Sequence, residues 1–106
     1  MTAYETFVML FYSLDAMYDE RPNESLGNYL SGLNPFLFEG EGSADPAEYD
    51  EFETEFSKVF TSGSAKPERA YEFCQKYLKN AAPIEANRAF KEIVFEDWNR
   101  VLEEMQ

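Results

Sequence analysis

The side chains of this sequence best placed for chemistry are carboxylates. Glu48, Glu51 and Glu55 recur every three to four residues, which aligns them on one flank of a helix, while Asp50 and Glu53 fall nearer its other side. Glu39 and Glu41 precede them in the stretch Glu39-Gly40-Glu41-Gly42-Ser43. Carboxylates in such an array can share a proton, hold a cation or face the basic side chains of another protein. What they lack is a histidine. None occurs among the 106 residues, and histidine is the usual general base near neutral pH and the commonest metal ligand. Ser-His-Asp, Cys-His, HExxH and Glu-x-x-His chemistries are therefore excluded within one chain. The glycines form neither a phosphate loop nor a dinucleotide fingerprint. The sequence reads as non-catalytic, and no cofactor is implied.

Other candidate groups have plain structural explanations. Taking Glu39 as the first position of a calcium loop puts oxygen donors at Glu41, Ser43, Asp45 and Asp50. The sixth position is then Ala44 where glycine is required, and Pro46-Ala47 follow where more loop is needed, so no metal site is assigned. Cys74 is the single cysteine, which excludes an intramolecular disulfide and a Cys-based zinc site. It sits among Tyr71, Tyr77 and Leu78 at helical spacing and reads as a buried, inert thiol. Asp15 with Asp19, and Glu92 with Glu96, are carboxylate pairs one helical turn apart, a common feature of solvated faces.

The charge is concentrated. Net charge is −12, and residues 22–57 contribute −9 of it, with nine acids and neither lysine nor arginine. Phosphate repulsion makes nucleic acid an unexpected ligand, and anionic membrane surfaces are disfavoured for the same reason. A basic protein would be attracted. Solubility is the simpler use of such a face. No apolar run approaches 18 residues, and no basic residue precedes the Phe7–Tyr12 run, so neither a membrane span nor a secretory signal is expected and a cytoplasmic location is.

Five segments must position these groups. Thr2-Ala3-Tyr4-Glu5 is a capping box, followed by Tyr4, Phe7, Val8, Phe11, Leu14, Met17 and Tyr18 at helical spacing up to Pro22. Residues 23–33 form a second helix, with Asn23 as cap and Asn34-Pro35 as stop. Asp45-Pro46-Ala47-Glu48 opens a third, with Tyr49, Phe52, Phe56, Val59 and Phe60 inward, and Thr61-Ser62-Gly63-Ser64 ends it. Pro67 starts a fourth, with Ala70, Tyr71, Cys74, Tyr77 and Leu78 inward. A last helix is expected over 84–105, with Phe90, Ile93, Val94, Trp98, Val101, Leu102 and Met105 on one side and a Glu96–Arg100 pair.

The expected fold is all-α, a compact bundle of four to five helices in one domain over residues 1–106, with most sequence neighbours packed antiparallel and a longer acidic loop over about 34–45. Phe36-Leu37-Phe38 in that loop reads either as a plug for the bundle end or as a docking patch. The functional expectation is a small, bacterial-sized interaction protein that neutralises a basic partner, as an immunity protein or antitoxin does, by mimicking nucleic-acid charge. Phe36, Phe38, Glu39, Glu41, Glu48, Asp50, Glu51 and Glu55 are its candidate partner-binding residues. A homodimer, or a carrier with an aromatic pocket for a small ligand, are the alternatives.

Overall fold

A computed structural model describes residues 1–37 and 40–105, Met105 through its backbone alone. Phe38 and Glu39, two of the candidate residues, lie outside the described residues. The described chain is all-helical: α1 (Ala3–Glu20), α2 (Glu24–Leu33), a 3₁₀ turn at Pro35–Leu37, α3 (Pro46–Val59), α4 (Pro67–Ala81), α5 (Ile84–Lys91) and α6 (Phe95–Met105). Helix starts follow local chemistry. Thr2 and Glu5 exchange hydrogen bonds in a full capping box, and Asn23 accepts from the Leu26 N–H at 3.0 Å. Gly63, at φ +86°, takes the left-handed turn that separates α3 from α4.

The packing is not simply sequential. α1 touches all five other helices, and the pairs α2–α5 and α4–α6 also meet. Thr6 to Phe11 are all buried, which requires neighbours all round that part of α1. The inward stripe therefore widens beyond the expected one to include Thr6, Met9 and Leu10. Thr6 is tolerated there because its hydroxyl donates to the Thr2 carbonyl at 2.8 Å. Gly27 on α2 makes room for Tyr18, whose ring carbon would lie 2.9 Å from a Cβ at that position.

The expected last helix is two helices. No proline or glycine marks the break; a tertiary contact does. The Tyr71 hydroxyl on α4 donates to the Ile93 carbonyl, and the Tyr71 ring lies 5.4 to 5.6 Å from those of Phe90, Phe95 and Trp98. α5 closes with short-range bonds from Glu92 to Ala89 and from Ile93 to Phe90, and the helix restarts on the Val94 carbonyl. The restart turns Val94 and Val101 outward, while Trp98 and Leu102 face the core. Arg100 pairs with Asp97 at 2.8 Å rather than with Glu96.

Removing the Tyr71 hydroxyl tests this break. Y71F keeps the ring packing and is expected to lower the unfolding free energy by about 1 kcal/mol in urea titration. Unchanged stability would mean that packing alone sets the break.

Candidate interaction surface

α3 begins where the loop from α2 is tied down. The Ala44 and Asp45 N–H groups donate to the Asn34 and Gly32 carbonyls at 2.9 and 2.8 Å, so the loop returns to the end of α2. Pro46 has no N–H to satisfy, and each of the next three finds an acceptor. Ala47 donates to the Asp45 carboxylate at 3.1 Å, Glu48 to the Asp45 carbonyl at 3.0 Å, and Tyr49 to the Ser43 hydroxyl at 3.0 Å. Ser43 is fully buried and also donates to the Asp45 carbonyl. It is a lock for the helix start, a role its sequence context did not disclose. Among the described residues no group of three or more Asp, Glu or Cys side chains is gathered to hold a metal ion.

One face of α3 is aromatic. Phe52, fully buried, has ring neighbours Phe7 at 5.1 Å, Phe73 at 5.2 Å and Tyr77 at 5.0 Å. Tyr49 packs edge-on to Tyr4 and Phe7, and Phe56 edge-on to Phe73. With that face committed, the carboxylates lie outside it. Asp50, Glu51, Glu53 and Glu55 are exposed, and Glu48 is half-buried. Glu53 accepts from the Tyr49 hydroxyl at 3.1 Å, and Glu41 lies close enough to add to the upward shift of the Tyr49 phenol, which burial dominates. Glu55 is held by Lys58 at 3.0 Å. Glu48, Asp50 and Glu51 have no ion-pair partner among the described residues.

Glu48 shows what this arrangement costs. Burial raises its pKa above the ordinary carboxylate range, and the Asp45 and Glu51 charges raise it further. A carboxylate whose pKa rises on folding destabilises the fold progressively as pH increases through that raised value.

Near the same carboxylates lie the phenols of Tyr29 on α2 and Tyr77 on α4. The Tyr29 and Tyr77 hydroxyls are both buried and lack a hydrogen-bond partner among the described residues. Burial pushes both phenols well above their ordinary range. Tyr77, Glu48 and Glu51 add to this for Tyr29, and Glu51, Glu48 and Glu55 for Tyr77. Two protonated hydroxyls thus sit near the Glu48–Glu51–Glu55 flank. Cys74, their other close neighbour, is sealed from solvent, and burial pushes its thiol far up, so no thiolate is available there.

The structure does not bring every candidate residue to this flank. Phe36, whose N–H is held by the Asn34 side chain at 2.9 Å, lies against α1, with ring centroids 6.1 Å from Phe11 and 5.6 Å from Tyr12. It is 56% exposed, and Leu37 beside it is 71% exposed. These two join Tyr12 in an apolar patch rather than filling the bundle end. No protein-family model, curated protein or solved structure matches the chain.

A buried hydroxyl without a partner should be dispensable. Y77F is expected to leave urea stability unchanged or slightly raised, opposite in sign to Y71F. A loss of about 1 kcal/mol or more would show that the hydroxyl is bonded in solution.

Proposed function

We propose that this chain is a non-catalytic interaction domain that binds and neutralises a basic protein through the Glu48–Glu51–Glu55 flank of α3. One observation carries the reading: a run of carboxylates is exposed on a well-anchored helix with almost no cationic compensation. Among the described residues only Glu55 of the three has a lysine partner, and no lysine or arginine occurs between residues 22 and 57. Such a row presents spaced negative charge to a cleft built for phosphates, and it steers a cationic partner during association.

The test compares tagged wild type with E48K/E51K/E55K in pull-downs from native lysate at low and high salt. A basic protein held by the wild type should be released by salt, and its affinity for the variant should fall about tenfold or more. Equal retention of every captured protein by the variant would overturn the reading.

A further inference from the structure

A second surface, on the α1–α6 side of the molecule, carries an inference independent of the first. Between α1 and α6 runs a groove of about 450 Å³. Its floor is apolar, formed by Met17 of α1, Ile93 ahead of α6, and Trp98 and Val101 of α6. Its rim is acidic: Asp15 and Asp19 on one wall, Asp97 on the other. Asp97 is occupied by Arg100, but neither Asp15 nor Asp19 has an ion-pair partner among the described residues. Trp98 is 1% exposed, and its indole N–H finds no acceptor among the described residues.

We infer that this groove is a docking site for a basic amphipathic helix of a partner protein. Charge and dimensions select that occupant. Asp15 and Asp19 stand one turn apart, a separation of about 6 Å that lysines or arginines one turn apart on a docked helix would match. Ala16 between them keeps the α1 wall low. The α1 lining runs from Tyr12 to Asp19, about 10 Å along the axis, and so spans two turns of a neighbouring helix. The apolar surface continues past the groove from Tyr12 to Phe36 and on to Leu37. A small amine would leave that extension uncovered, whereas a helix carrying apolar side chains along one face covers it. A second copy of this chain is opposed by charge, since each copy brings −12 overall and the same acidic rim.

Trp98 is the only tryptophan, so its fluorescence reports on this groove directly. The probe is a synthetic helix of about 14 residues with leucines along one face and lysines one turn apart on its flanks. A matched peptide with glutamates for lysines, and hexylamine, serve as controls. The lysine peptide should change Trp98 emission saturably, and the glutamate peptide should not. D15K/D19K should weaken the lysine peptide about tenfold or more, while E68K/E72K on α4, which alters net charge equally, should change it less than about threefold. Circular dichroism melts verify that each variant is folded, and D15N/D19N makes the same comparison should the reversed charges disturb folding. Equal weakening by both charge pairs would overturn the inference in favour of attraction to the whole molecule. So would hexylamine saturating the signal as tightly as the peptide, a Trp98 change that depends on protein concentration alone, or no saturable change at all.

Discussion

Thr6 to Phe11 of α1 are all buried, and an α-helix turns through more than a full circle over that run, so the rest of the chain must close around it. Each surrounding helix can cover α1 only by giving it an apolar face, and the chain supplies such faces largely with aromatic rings. Phe7 meets Tyr49 and Phe52 from α3, and Phe52 passes the contact on to Phe73 and Tyr77 of α4. Well-oriented ring pairs of this kind contribute about 0.5–1.5 kcal/mol each beyond their buried area. A radius of gyration of 12.6 Å, close to the roughly 13 Å expected for a compact chain of this length, reflects that closure.

This constraint decides where the charge goes. α3 has only 14 residues, and its inward face is spent on Tyr49, Phe52 and Phe56. Its carboxylates must therefore share the remaining arc, and with no lysine or arginine between residues 22 and 57 they share it with one another. Burial raises the pKa of Glu48, and the neighbouring charges of Asp45 and Glu51 raise it further. Ser43, Asp45 and Pro46 hold the start of α3 in place despite those charges, by giving every first-turn N–H an acceptor or removing the need for one. The acidic flank is thus a feature that the aromatic core supports and the local charges oppose.

Much of this was legible in the residues. Caps at Thr2, Asn23 and Asp45 and the prolines at 22, 35, 46, 67 and 83 mark helix ends through backbone chemistry that needs no tertiary context. Phe73 was also readable: Ala70, Phe73, Cys74, Tyr77 and Leu78 follow helical spacing more closely than the stripe drawn through Tyr71, which is only half-buried. The α5–α6 break was not readable, because the hydroxyl that fixes it comes from Tyr71, 22 residues away. Nor was the burial of the Tyr29 and Tyr77 hydroxyls, since a tyrosine on an apolar stripe points its ring inward whether or not its oxygen reaches water. The carboxylate flank followed from spacing alone. The position of Phe36 beside Tyr12 did not, because a loop residue has no periodicity to read.

Two surfaces of opposite character result, a carboxylate flank on α3 and an apolar groove with an acidic rim between α1 and α6. Both follow from a core that uses up the aromatic faces and leaves acids outside. Whether the α3 carboxylates oppose folding, and so are not there to hold the fold together, is read most directly from urea unfolding of E48Q/E51Q beside wild type at pH 7. At low salt the variant should be the more stable by roughly 0.5–1 kcal/mol, the repulsion expected from like charges at one-turn spacing. The difference should shrink in high salt as that repulsion is screened. A variant less stable than wild type at low salt would contradict this, because the carboxylates would then be contributing to the fold itself.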